Sequence, residues 1–404
     1  MAEDTRPIAG TSTAPQRLMS LDALRGFDMF WIVGAEEIVH ALHKVNHAGF
    51  ASFLAGQLTH QDWEGVAFYD LIFPLFVFIV GVSLVFSLTR IIDQSGKAAA
   101  LKRIFWRSGI LFLVGIFYYG GFAGGFERIR LLGVLQRIAL CYFFAGTAFC
   151  FFRLRGLVVT CAALLLGYWA LMTFVPIRDI SLEKKNLETL AIQSGTTNAA
   201  TLYYSTTNWV TGKFEDGRNV ANHADFKYLP WRKWDGAYDP EGLLSTLPAI
   251  ATCLLGVFAG LLLRSKRVPE QKKVIWLLGA GIAGVVVGFI WGIQFPVVKK
   301  LWTSSYVLVA GGYSCLFLAA FHQVIEVWKF QKWAMPFVWI GVNPITIYLI
   351  HNLVDLNALA NRLVGGPIKA GLGAYGELLV TIVVLAMSFL IVRFLYQRRL
   401  FLKL

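Results

Sequence analysis

The chain has 404 residues, 57% hydrophobic and only 15% charged, with a formal net charge of +13. Soluble domains carry roughly a quarter charged residues, so this composition excludes an ordinary soluble globule and points to an integral membrane protein. The basic residues cluster in short loops between apolar runs, which is a topology signal and argues against a nucleic-acid partner.

Residues 1–16, rich in Thr, Ala and Pro, hold no apolar core and read as a flexible cytoplasmic tail instead of a signal peptide. From 17 to 404 the sequence reads as a single transmembrane domain. Ten apolar segments are long enough to span: 26–43, 66–89, 104–121, 131–152, 156–176, 243–263, 274–295, 303–324, 334–351 and 375–395. The expected fold class is therefore all-α, a polytopic membrane helix bundle of about ten transmembrane helices. One long hydrophilic stretch, 177–242, separates the fifth and sixth segments. With the N-terminus inside, the cytoplasmic segments carry 21 Lys/Arg and the short external ones seven. This bias places both termini in the cytoplasm and the 177–242 loop outside. The five cysteines lie in apolar runs without a C-x-x-C and read as small core residues.

The first span is interrupted by Asp28, Glu36 and Glu37. Asp22, Arg25 and Asp28 are spaced to form a ladder along one helical flank, or to anchor the helix at the inner interface. A buried Glu36 needs a partner, and Arg137 is the basic residue in the interior of a predicted span. His40, His43 and His47 have a spacing that suits zinc, but no neighbouring motif supports a metal, so they read as an interfacial rim.

The stretch 60–90 carries the strongest chemical signal. His60, Asp62, Glu64 and Asp70 stand immediately before an uncharged run, 71–89, that ends at Arg90. Histidine can act as a base near neutral pH, and a carboxylate can orient it; the plainer reading is a solvated loop histidine. Further on, Trp231, Trp234 and Tyr238 interleave with Asp235, Asp239 and Glu241. This pattern suits a sugar platform, or an interfacial aromatic belt. In the ninth segment Asn343 precedes Pro344, where a broken helix frees polar groups for a ligand, and His351 follows at its outer end.

Four separated blocks then make a resemblance specific: SLDALRG at 20–26, HQDWEGVAFYDLIFPLFVFIVG at 60–81, GVLQRIALCYF at 133–143 and YDPEGLLSTLPAI at 238–250. LWTSSYVL at 301–308 and GVNPITIYLIH at 341–351 continue it. The sequence resembles the heparan-α-glucosaminide N-acetyltransferase family of transmembrane acetyltransferases, and among them the bacterial members. The resemblance implies transfer of acetyl from cytosolic acetyl-CoA to the amine of glucosamine, or of a glucosamine-ended sugar, on the far side of the membrane. It implies an inner-membrane location, a dimer and no metal. His60 falls on the family's active-site histidine. The family's Asn late in the first span is replaced here by Glu36, a departure that leaves the role of Glu36 open.

On this reading His60 is the base, with Glu36, Asp62 or Asp70 around it, and Asn343 is a candidate oxyanion donor. Lys102 and Arg103, Lys272 and Lys273, and also Arg25, Gln136 and Arg137, are candidates for holding CoA; the basic pairs also fit topology alone. Trp234, Asp235, Asp239, Glu241, Asn343 and His351 are candidates for the sugar. Two rivals are a proton-coupled sugar permease and an O-acyltransferase of a cell-envelope glycan.

Overall fold

In this computed structural model the described residues are 18–45 and 49–401. Apolar runs in a bilayer must satisfy their backbone internally, and here they do so as helices. The chain forms α1 (Met19–Phe30), α2 (Glu36–Val45), α3 (Gly49–Gln57), α4 (Ile72–Tyr118), α5 (Val134–Phe151), α6 (Leu154–Phe174), α7 (Lys184–Ser194), α8 (Ala199–Ser205) and α9 (Val220–Tyr228). Then follow α10 (Thr246–Arg264), α11 (Glu270–Gly292), α12 (Ser304–His322), α13 (Met335–Val342), α14 (Pro344–Leu353), α15 (Leu356–Val364), α16 (Pro367–Gly371) and α17 (Gly376–Gln397). The protein is an all-α polytopic membrane protein, as its composition predicts.

The count of ten continuous spans is not recovered. Among the described residues seven helices are long and apolar enough to cross a membrane, or eight if a bent pair is one span. Three breaks account for the difference. The expected 26–43 span is split by a π turn, Trp31–Ala35, where Gly34 takes φ 117°, a conformation that costs glycine little and other residues much. The expected 334–351 span is split into α13 and α14, bent by 66°. Pro344 lacks the N–H that would continue the helix, and Asn343 stands at the bend with φ −127°. The expected 66–89 and 104–121 spans run together as α4, with Gly96 at φ 81° between them. Leu84 and Ile104 would lie about 30 Å apart on a straight helix. Both instead stand 3.2–3.4 Å from where a Cβ on Gly146 would be, so α4 is a hairpin closed against α5.

The core is held by close helix contacts. A Cβ on Gly81 of α4 would meet the Cys253 carbonyl oxygen at 2.0 Å, and one on Gly256 of α10 would meet that of Phe78 at 1.9 Å. This reciprocal small-residue contact lets the two backbones touch. Around it pack Val77, Val85, Leu88, Ala145, Leu254 and Val257, all buried.

The 177–242 stretch folds as a layer of its own. It holds α7–α9 and two short antiparallel pairs, β1 (Ile177–Arg178) with β2 (Trp209–Val210) and β3 (Phe214–Glu215) with β4 (Arg218–Asn219). Ile180, Leu182, Leu202, Tyr203 and Tyr238 form its small core. The layer is tied to the bundle at the end where α4 begins: the Trp63 indole donates to the Phe214 carbonyl at 2.8 Å.

Candidate active site

The loop before α4 is shaped by backbone pairing with a distant segment. Gly65 N–H donates to the Val297 carbonyl at 2.9 Å, and Glu64 bridges Val298. The 295–302 segment is itself a plug, with Phe295, Val298, Leu301 and Trp302 buried. Thr303 caps α12 and also accepts the Val298 N–H at 3.1 Å. This pairing carries Lys299 to His60.

His60 Nδ1 lies 2.8 Å from Asp70 Oδ1; the imidazole side chain is 54% exposed and the carboxylate 1%. Asp70 Oδ2 accepts the backbone N–H groups of Ala67 (3.0 Å) and Gln61 (3.2 Å), and the Asp70 carbonyl accepts the Tyr306 hydroxyl at 2.6 Å. The carboxylate is thus a fixed support, and the imidazole is the group presented outward, with the Tyr69 ring 4.7 Å away. The Lys299 ammonium stands 3.2 Å from Asp70 Oδ1, 2.9 Å from His60 Nδ1 and 3.3 Å from Nε2. Nδ1 cannot donate to Asp70 and accept from Lys299 at once, so these two contacts are alternatives. Burial pushes the Lys299 pKa below its ordinary value, against the pull of Asp70, Glu241 and Glu36 in that order.

Those three carboxylates delimit the site. Glu36 opens α2 directly after the Gly34 break, with Oε2 buried and without a hydrogen-bond partner among the described residues. Glu241 comes from the other side, where Arg130 forms a clamp. Its guanidinium pairs with Asp239 at 2.9 and 2.7 Å and with Glu241 at 2.6 Å. The Tyr119 and Trp234 rings lie 4.5 and 4.7 Å from it. Burial works against the Arg130 charge, but the Asp239 hydrogen bonds and both carboxylate fields hold its pKa above the ordinary range. Burial pushes Glu241 up, opposed first by Arg137. Under this turn Asp225 accepts the Leu243 N–H at 2.8 Å, and burial raises its pKa to about 7.

The structure brings His60, Asp70, Glu36 and Glu241 around Lys299, and it corrects several roles. The partner of His60 is Asp70; Asp62 is exposed, and Glu36 makes no hydrogen bond to the imidazole. Asp239 is fully consumed by Arg130 and backbone N–H groups, so it shapes the turn and offers nothing to a sugar hydroxyl. Trp234 is half exposed beside it, while Asp235 lines a separate cavity of the outer layer with Lys233, Leu202 and Phe226. Arg137 does not pair with Glu36. It is buried against the Trp302 ring and donates to Ser245 and the Gly242 carbonyl. Gln136 donates to the Arg130 carbonyl at 3.3 Å, so both residues belong with the His60 end. Asn343 does not reach it: its amide donates to the Leu400 carbonyl beyond α17, at the far end of the bundle. His351 follows on α14, half buried. His40 and His43 contact the Leu58 carbonyl and Ser52, and His47 lies outside the described residues.

At the opposite end Arg25 donates to Asp22 (3.2 Å), the Gly341 carbonyl (3.1 Å) and Ser83 (2.5 Å). It lines a cavity of about 230 Å³ together with Arg103, Arg107 and Tyr142. Lys102 is exposed beside this cavity without lining it, and Lys272 is exposed on α11. Lys273 is buried, donating to Glu270 and to the Leu263 carbonyl at 2.8 Å each. Arg130 and Lys299 carry no signal in the sequence as site residues; each has its meaning only through a partner far along the chain.

Fold and site together define a polytopic helical membrane protein with a histidine–carboxylate centre at one end and an arginine-lined cavity at the other. Residues 17–208 match the family model described as "Heparan-alpha-glucosaminide N-acetyltransferase, catalytic". The chain is similar to the heparan-alpha-glucosaminide N-acetyltransferases of Homo sapiens, 27% identical over 384 residues, and Mus musculus, 27% over 398. These alignments cover 85% and 88% of this chain but 54% and 56% of the relatives, so the chain spans about half the length of the curated relatives it matches. The resemblance carried by the sequence blocks is therefore borne out: the chain is similar to proteins of this family.

Proposed function

We propose that the protein is a transmembrane N-acetyltransferase that moves acetyl from acetyl-CoA to the amine of glucosamine or a glucosamine-ended sugar. The observation that carries the reading is the exposed His60 imidazole fixed by a buried Asp70, with Lys299 alongside, in a chain related to N-acetyltransferases. With Nδ1–H directed at Asp70, Nε2 presents its lone pair outward. Nε2 takes a proton from the attacking amine as the C–N bond forms, and Asp70 supports the imidazolium. The proton then passes to the thiolate as the C–S bond breaks. Lys299, beside the imidazole, is the donor for the tetrahedral oxyanion in place of the candidate Asn343, which lies at the other end. Glu241, at the edge of the site, supplies the carboxylate that attracts a sugar ammonium.

The acetyl donor enters from the opposite end. Arg25, Arg103 and Arg107 suit CoA phosphates, because guanidinium groups pair bidentately with phosphate oxygens. Phe76, Ile138, Pro344 and Ile345 line this cavity and also the next one toward the His60 end, which continues to Phe73 and Tyr348. A pantetheine arm following this line would have to widen the second cavity, which is only about 30 Å³. The loop-charge bias supports a cytoplasmic side for the arginine cavity and the far face of a bacterial inner membrane for His60.

Purified protein in detergent, given acetyl-CoA and glucosamine, should release free CoA thiol and N-acetylglucosamine without any membrane gradient. Thiol release absent with every amino sugar tried, alongside sugar uptake into proteoliposomes, would replace the reading with the permease.

A further inference from the structure

A large cavity among the described residues plays no part in the chemistry above. It is an open groove of about 790 Å³ between α5, α6 and α10. Leu140, Phe144, Thr147 and Phe151 form its stripe on α5, and Leu247 and Ile250 face them from α10. No charged side chain lines it. The helices forming it are membrane spans, so its natural occupant is hydrocarbon.

Its position selects which hydrocarbon. The upper end is lined by Leu132 and Leu243, each two residues from a member of the Arg130–Glu241 pair. The groove therefore opens beside the Arg130–Glu241 ion pair. Its lower end reaches Phe151 and Phe152, at the far end of α5. Eighteen residues of helix give it a length of about 27 Å, close to the full hydrocarbon thickness and longer than one leaflet. A chain of ordinary leaflet length would leave the lower half unfilled.

We propose that the groove binds the long hydrocarbon tail of a lipid-linked amino sugar, holding its glucosamine end at Glu241 and His60. This rests on the acetyltransfer reading and narrows its acceptor to a membrane-anchored glycoside. Tail burial would hold the sugar at the site while Glu241 attracts its ammonium, so the small polar headgroup would not need to supply all the affinity.

The test compares methyl, octyl, dodecyl and hexadecyl β-glucosaminides as acceptors for the purified protein in nanodiscs, reading thiol release from acetyl-CoA. The KM should fall by at least about tenfold from methyl to dodecyl, since each buried methylene contributes severalfold. Thr147→Trp and Leu247→Trp, which fill the groove, should abolish that advantage and leave turnover of free glucosamine unchanged. If a variant loses all turnover, equilibrium binding of the glycosides to the unmodified protein decides: affinity should rise with chain length and level off once the groove is full. A KM independent of chain length, or a gain untouched by either tryptophan, would overturn the proposal and leave the groove to ordinary lipid or a second copy of the chain. Absence of turnover with every acceptor, while dodecyl glucosaminide still binds and the tryptophans block it, would break the acetyltransfer reading and keep the groove.

Discussion

Two histidine–carboxylate pairs stand at opposite ends of the bundle, each at 2.8 Å. At one end His60 is half exposed and Asp70 is buried. At the other His322 is 1% exposed and Glu270 is 53% exposed. The inversion decides what each pair can do. A buried carboxylate with fixed backbone donors orients an imidazole that remains free to meet a substrate. A buried imidazole between Ser20 and Glu270 meets nothing new; it straps the start of α1 and of α11 to the end of α12. Distance alone would score the two pairs alike, while the direction of exposure separates an imidazole open to a ligand from one that is walled in.

The sharpest break of that contrast is His60→Ala. Turnover should fall by about 10²–10⁴, the usual contribution of a positioned acid–base group, with thermal unfolding in detergent unchanged. Near-normal turnover would make the two pairs equivalent. Next is Arg130→Met, which leaves Asp239 buried and unpaired at the His60 end. Loss of one partner of a buried ion pair costs about 3–5 kcal/mol, visible in denaturant titration. Adding Asp239→Asn should restore part of it.

His322→Gln should do the reverse of His60→Ala. Thiol-release rates should hold, and stability should drop by about 1–3 kcal/mol, the cost of unmade buried hydrogen bonds. A selective loss of activity here would mean the inner pair has chemistry of its own. The smallest effect belongs to Asp225. Burial raises its pKa to about 7, above the ordinary 3.8. Between those values the folded protein keeps a proton that the unfolded chain has lost. Stability from this group is therefore fully present below about pH 4 and is lost as pH rises through about 7. Asp225→Asn should flatten that decline, whose slope is no steeper than about 1.4 kcal/mol per pH unit. An unaltered pH slope would show that Asp225 is ionised in the fold.

Much was legible in the chain because membrane helices announce themselves by length and apolarity, requirements that act locally. The class, most segments, the long hydrophilic stretch and the choice of His60 as a candidate followed from such local signals and from the matched blocks. The break at Asn343 was announced by Pro344, but the one at Gly34 was not, since an apolar run reads the same whether its helix is straight or bent. The partners were not legible at all. Asp62, near in sequence, looked as suitable for His60 as Asp70, until the turn before α4 buried one and exposed the other. Lys299 lies 239 residues from His60. It reads as one of two external lysines until Gly65 and Glu64 pair with the 297–298 backbone. Asp239 and Glu241 look alike as carboxylates, but Arg130 consumes the first and leaves the second at the edge of the site. Composition and periodicity determined that this chain enters a membrane and where its helices run. Only tertiary structure decided which charges are paired, because pairing depends on burial and on contacts between segments that no local pattern encodes.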